Sequence, residues 1–433
     1  MRGARARAAA RRPEIPARAR PLTPRASRPP AARPLAVLDG QTPVAAVSAT
    51  KADLLHFFRQ MYTVRRMEIA CDTEYKARNI RGFCHLYDGQ EGVGMGLQAA
   101  LTAEDHMATS YRCHGLQFFR GDTVRSIVGE LFGFEQGASK GKGGSMHLYS
   151  KERRFWGGAG IVGAQIPIAG GLAFMERYKT AGKGPMNVSV GMFGDGAANQ
   201  GQIWETANMA KLWNLPLILL CENNQYGMGT STARHSSNPN YYTQGGVVIP
   251  GVQCDGFDVL AMREAIKFCK AHAGGGQGPI FLEAKTYRYH GHSMSDPGIT
   301  YRNREEVNNV RNTADCIDQV KNRLLEAGFA TEEEVKQVEK EVRAFVSARR
   351  GRGAVGEGRA EARRQRLLKK KRHAAPLTQR PLSFPFFAQV VAEVEAARKG
   401  TQPRPELLYA DILYNEVPKY IRLPDRMTSK VTP

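Results

Sequence analysis

Apolar runs and amphipathic stretches alternate through the middle of the chain, most sharply between Val188 and Gly227. Val188 to Phe193 is β-branched and apolar, of strand length. It ends at Gly194-Asp195-Gly196, a turn that glycine makes easily. Ile203, Ala207, Ala210 and Leu212 then fall near one face at helical spacing, with Gln202, Glu205 and Lys211 off it. A second apolar run, Leu217 to Cys221, closes on Glu222-Asn223-Asn224. Strand, glycine turn, helix and strand predict a βαβ unit with a right-handed crossover. Asp195 and Asn224 then share the carboxyl edge of the sheet, where α/β proteins bind their ligands.

The same reading extends to both sides. Residues 51–80 predict a helix capped by Asp53, with Leu54, Leu55, Phe58, Met61 and Met67 as its core stripe. A loop carrying His85 leads into a helix from about Gln90, and Met107 to Tyr111 predicts a short strand with Arg112 at its end. Gly137 to Ser150 is rich in glycine and lysine. It lacks a G-K-[ST] ending in register and a preceding strand, so it reads as a mobile loop rather than a P-loop. Ala164 to Tyr178 predicts a helix whose small face (Ala169, Gly170, Gly171, Ala173) packs closely on another element. Ala261 to His272 predicts a helix and Ile280 to Thr286 a strand, followed by a polar loop with His290 and His292. The fold class is α/β, a mainly parallel sheet flanked by helices.

Charge changes the picture at two places. Of the net +21, residues 1–40 contribute +8 (ten arginines against Glu14 and Asp39) and residues 346–389 contribute +10, leaving +3. The body is close to neutral, so the basic total is not a nucleic-acid surface. Residues 1–40, rich in Arg, Ala and Pro, fit an organelle transit peptide, with a disordered basic tail as the rival. Residues 331–345 predict a helix, and the pattern resumes at Val390. The segment between them opens with Val-Ser-Ala and closes with Phe-Pro-Phe-Phe-Ala-Gln, which the borders of an intron can encode. The segment reads as a retained intron that is disordered if expressed, with a functional basic insert as the rival. The division is thus 1–40 transit segment, 50–345 main domain, 346–389 insert, and 390–433 C-terminal helix and tail of the same domain. No apolar run reaches the ~18 residues of a membrane span. Seven scattered cysteines without CxxC spacing favour free thiols.

The chemistry starts from a conflict. Backbone N–H groups at a helix start favour phosphate, yet the carboxylate of Asp195 in that turn repels it. A divalent cation between them removes the conflict, with Asp195 and the Asn224 carbonyl as hard oxygen ligands for Mg²⁺. A dinucleotide fingerprint is disfavoured, because the glycines stand in the wrong order and that motif carries no acid in its turn.

GDG followed by an NN pair resembles the thiamin diphosphate-binding motif. GDGAANQGQ with ENNQYGMGTS and HGHSMSDPG resembles the alpha-subunit family of mitochondrial pyruvate dehydrogenases, over roughly residues 51–345 and 390–415. The resemblance implies a thiamin diphosphate-binding fold in the mitochondrial matrix. It implies oxidative decarboxylation of pyruvate, with the two-carbon unit passed to a lipoyl group for acetyl-CoA formation. It assigns Mg²⁺ to Asp195, Asn224 and the Tyr226 carbonyl, and the cofactor to Tyr111, Arg112, Gly160, Val162, Asp195, Gly196, Ala197, Asn224 and His292. His85 and His292 take the catalytic places. Ser293 and Ser231 match phosphorylation serines, while a further such position is Thr300 here. The carboxylate that activates the cofactor belongs, in the family, to a beta subunit; Glu91 is the nearest candidate on this chain. The partners implied are that subunit in a two-alpha, two-beta heterotetramer, a lipoyl-bearing acetyltransferase core, and a regulatory kinase and phosphatase. A branched-chain 2-oxoacid dehydrogenase subunit is the alternative within the class, and a non-catalytic RNA-binding or regulatory protein is the alternative outside it.

Overall fold

The computed structural model describes residues 47–245, 248–347, 390–408, 420–422 and 428–430. The expected transit segment, nearly all of the basic insert and most of the tail lie outside the described residues.

A capping box starts helix α1 (Lys51–Lys76): the Thr50 hydroxyl accepts from the Asp53 N–H while the Asp53 carboxylate accepts from the Thr50 N–H at 2.9 Å. Thr50, not Asp53, is therefore the cap, and Asp53 is its N3 partner. Helix α2 (Glu91–Ala100) follows, then strand β1 (His106–Ser110), α3 (His114–Phe119) and α4 (Val124–Leu131). Strand β2 (Phe155–Ala159), α5 (Gln165–Lys179), β3 (Ser189–Gly194), α6 (Gly201–Leu212) and β4 (Leu217–Asn223) build the centre. A small hairpin, β5 (Tyr226–Gly227) and β6 (Thr230–Ser231), runs into the one-turn helices α7 (Thr232–His235) and α8 (Tyr241–Gln244). Strand β7 (Gly251–Asp255), α9 (Val259–His272), β8 (Ile280–Lys285), α10 (Arg304–Ala314), α11 (Cys316–Glu326) and α12 (Glu332–Ser347) complete the main domain, and one more helix spans Val390–Arg398.

The six-stranded sheet has the order β2-β1-β3-β4-β8-β7, and every pairing in it is parallel. Both faces are covered, as an all-parallel sheet requires. Val190, Met192, Ile218, Leu220, Ile280 and Leu282 enter one core with α1, α2, α9 and α11. The alternate residues Phe193, Leu217, Leu219 and Phe281 enter the other with α5 and α6. The small face of α5 packs as expected at Ala169, Ala173 and Gly170, where an added Cβ would meet Thr206 at 2.9 Å, but Gly171 is open.

Strand β2 was not legible because FWGGA has two glycines. Both are demanded by packing: a Cβ on Gly158 would stand 2.3 Å from the Met146 carbonyl oxygen, and Gly157 has φ +99°. The loop predicted to be mobile is instead pinned. The buried Glu130 carboxylate accepts four backbone N–H groups, from Ser139, Gly141, Gly143 and Gly144, at 2.7–3.1 Å. Ser145 Oγ meets His114 Nε2 at 2.8 Å, and His114 Nδ1 meets Glu68 at 3.0 Å.

Candidate active site

The chain leaves β1 and β3 in opposite lateral directions, so the gap between them is a topological switch point at the carboxyl edge of the sheet. A cavity of about 400 Å³ opens there. Tyr111 and Arg112 reach it from the end of β1, and Gly194, Asp195, Gly196 and Ala197 from the end of β3. Glu222 and Asn224 come from the end of β4, with Tyr226 beyond them, and Val162 and His292 from loops. The β3–β4 register pairs Gly194 with Glu222, which brings Asp195 and Asn224 to the same edge of the sheet, both on the cavity wall. Gly196 and Gly227 approach so closely that a Cβ on either would stand 3.2 Å from the other's Cα.

Two oxygens already converge on one positive nitrogen. Arg288 Nη1 donates to Asn224 Oδ1 at 3.1 Å and to the Tyr226 carbonyl at 3.0 Å. The Asn224 amide is fixed from its other end, where Nδ2 donates to Gln90 Oε1 at 3.0 Å, so its carbonyl faces Arg288. Gln90 in turn donates to Glu222 at 3.3 Å, and the Tyr87 hydroxyl donates to the same carboxylate oxygen at 2.7 Å. Burial pushes the Glu222 carboxyl up to about 7 against those donors and Arg112. Arg288 Nη2 donates to the Met228 carbonyl and the Tyr301 hydroxyl; Tyr301 donates to Asp296, which accepts the His292 N–H at 2.7 Å. One hydrogen-bonded chain thus joins Asn224 to the loop that holds His292 and Ser293.

Arg112 ties the loop of His85 and the loop of His292 to β1, donating to the Leu86 carbonyl at 2.6 Å and the His292 carbonyl at 2.9 Å. His85 is not on the cavity wall, but its ring centroid lies 4.2 Å from that of Tyr111 and 5.2 Å from that of His292. Burial, with Arg112 next, pushes the His85 imidazole down to about 2; burial and Arg112 push His292 down to about 3. Both rings are therefore neutral at physiological pH. Burial raises the Tyr111 phenol, which stays a neutral donor.

Gly160 stands back from the wall, where a Cβ would meet His147 Nε2 at 3.2 Å. Ser231 is half-buried at the start of α7, and Ser293 is buried with its Oγ 2.9 Å from Ser295 Oγ. Glu91 is no candidate for acid–base work in this cavity. Its carboxylate is buried against the Arg65 guanidinium and accepts the Gly89 N–H at 2.8 Å, outside the cavity wall. Gln90, Asn199, Glu222, His235 and Arg288 escaped the sequence reading. Glu222 had a visible signal, an acid closing a buried apolar strand; the others act through folded neighbours alone.

Residues 59–351 match the model of the family described as dehydrogenase E1 component. The chain is 52% identical over 304 residues to the Arabidopsis thaliana pyruvate dehydrogenase E1 component subunit alpha-1, mitochondrial, covering 70% of this chain and 77% of that protein. It is 51% identical over 306 residues to the mitochondrial somatic-form alpha subunits of Rattus norvegicus and Homo sapiens, covering 71% of this chain and 76% of each. With the parallel sheet, the switch-point cavity and these identities together, the chain belongs to the dehydrogenase E1 component family.

Proposed function

We propose that the chain is the alpha-type subunit of a mitochondrial, thiamin diphosphate-dependent pyruvate dehydrogenase, and that Asp195, Asn224 and the Tyr226 carbonyl hold the Mg²⁺ of the bound cofactor. The observation that carries this reading is the convergence of those residues with Tyr111, Arg112 and His292 on one cavity at the strand switch point. The residues fit the group. Two of the three oxygens already converge on a cationic nitrogen, and His85 Nδ1 is buried with no hydrogen-bond partner among the described residues. An unpaired buried nitrogen costs about 1–3 kcal/mol, as expected where a bound molecule completes a site.

The cofactor, when bound, supplies the carbanion that attacks the keto carbon and the sink for the electron pair released with CO₂. The chain's own residues bind and orient. Arg112 and His292, with the Tyr111 hydroxyl, would hold the diphosphate; Gly196 and Ala197 would offer it backbone groups, and Val162 on the cavity wall, with Gly160 behind it, would hold the aminopyrimidine. His85, tilted against the Tyr111 ring, and His292, edge-on to it, are neutral and would serve the reaction as donors or acceptors rather than as cations. Ser293 and Ser231 are the places for kinase and phosphatase control.

Among the described residues, the carboxylates near the cavity are committed: Asp195 to the metal place, Glu222 to Tyr87 and Gln90, Glu91 to Arg65. This supports an activating acid supplied by a beta subunit. So does exposed apolar surface beside the site, where Ile161 is 75% and Met228 61% exposed. The expected assembly is a two-alpha, two-beta heterotetramer that passes its two-carbon product to a lipoyl-bearing core.

The test is pyruvate-dependent reduction of a dye acceptor with thiamin diphosphate and Mg²⁺, with and without a co-expressed beta subunit. Turnover is expected only with the partner. Turnover by the chain alone places the acid on this chain, and preference for branched 2-oxoacids reassigns the substrate.

A further inference from the structure

His235 closes α7 and lines the cavity, and the metal and cofactor reading above gives it no part. Its Nε2 lies 3.2 Å from Asp195 Oδ2. Its Nδ1 lies 3.0 Å from the amide nitrogen of Asn199 and 2.9 Å from Ser236 Oγ. An amide nitrogen only donates, so Nδ1 presents its lone pair, the ring proton sits on Nε2, and Nε2–H donates to Asp195. The ring is braced all round. Ser236 Oγ is itself 2.6 Å from the Tyr241 hydroxyl and 2.9 Å from Asn199 Nδ2, and a Cβ on Gly227 would meet the imidazole at 3.3 Å.

A carboxylate bound by one oxygen keeps the other for a cation, and a ligand held in place before binding loses less freedom when the cation arrives. We infer that His235 is a positioning residue for Asp195, anchoring Oδ2 through its Nε2–H so that the second carboxylate oxygen is presented to the divalent cation. The inference rests on the metal reading above. It also separates His235 from a direct ligand: with Nε2 protonated and Nδ1 occupied, the ring offers no lone pair to a metal. A ring acting as a ligand would favour Mn²⁺ and its heavier neighbours over Mg²⁺.

The test uses the chain co-expressed with its partner subunit, in the presence of thiamin diphosphate. Mn²⁺ binding is read by electron paramagnetic resonance and Mg²⁺ binding by competition. His235→Ala is expected to weaken both cations alike, by about tenfold, with kcat at saturating Mg²⁺ close to wild type. His235→Gln, whose amide can donate to the same carboxylate oxygen, is expected to recover most of the loss. Unchanged affinity in His235→Ala overturns the inference, as does a loss confined to Mn²⁺ or a glutamine variant as weak as alanine. Should His235→Ala fail to fold, Asn199→Ala combined with Ser236→Ala removes both groups that face Nδ1 and must weaken both cations in the same direction. A wild-type complex that binds thiamin diphosphate but neither cation overturns the metal reading itself. Normal cation binding by wild type with an indifferent His235→Ala overturns only the role of His235.

Discussion

His85 and His292 show what burial beside a guanidinium does to an imidazole. Both imidazoles stand beside Arg112, and burial holds them neutral, at about 2 and about 3. Their folded pKa values lie below the ~6.5 of an unfolded histidine. The stability they contribute is therefore complete above pH 6.5 and is lost as pH falls from there toward the folded values. Each costs up to about 1.4 kcal/mol per pH unit in that window. Urea midpoints of the cofactor-free protein should fall between pH 7 and pH 5, and His85→Gln should flatten that fall. An equal slope in the variant would show that His85 titrates normally. Ser293 makes the opposite electrostatic point. It is buried next to His292, in a loop held by Asp296. A phosphate there adds about −1.5 to −2 charges close to Asp296, which holds the His292 N–H. Ser293→Glu should lower activity at least tenfold and raise hydrogen exchange across 290–301; a variant with wild-type rate would remove Ser293 from control.

The elements were largely legible because their cues are local. The helix predicted over 164–178 is 165–179, and the strand predicted over 280–286 is 280–285, since Gly163 precedes the first and Gly278-Pro279 the second. Asp195 and Asn224 were legible as a pair because a βαβ unit fixes which strand ends are neighbours. What could not be read depends on contacts distant in sequence. His235 carries no signal until α7 folds it onto Asp195, forty residues away. Glu130 looks like an ordinary helix residue, yet it holds the glycine-rich loop by four N–H bonds. That makes the loop testable. Glu130→Ala strands four donors and should cost several kcal/mol, at about 1–3 kcal/mol for each one left dry. Trypsin should then cut at Lys140 or Lys142, and hydrogen exchange over 139–144 should rise. Protection equal to wild type would mean that the His114–Ser145 contact alone holds the loop.

Over the whole molecule, the charge and the fold are separable, and this governs what the basic insert can be. Helix α12 and the helix Val390–Arg398 flank it, and each brings its own core residues: Val335, Val338 and Val342 on one side, Val390, Val394 and Ala397 on the other. The two helices touch, and both pack on α1. The ends of the insert are thus held together by surface that the insert does not provide. Closing a loop of about forty residues costs on the order of 2 kcal/mol more than closing a tight turn. Deleting 348–389 should therefore leave the melting temperature unchanged or raise it by a few degrees. Activity with the partner subunit should stay at the full-length value, and binding to polyanions should fall. The sequence supports this: the net charge outside residues 1–40 and 346–389 is only +3. Lost activity in the deletion variant would make the segment a functional insert. Transcript sequencing across Phe345 and Val390 gives an independent answer, because a retained intron predicts some messages that join the two helices directly and a true insert predicts none.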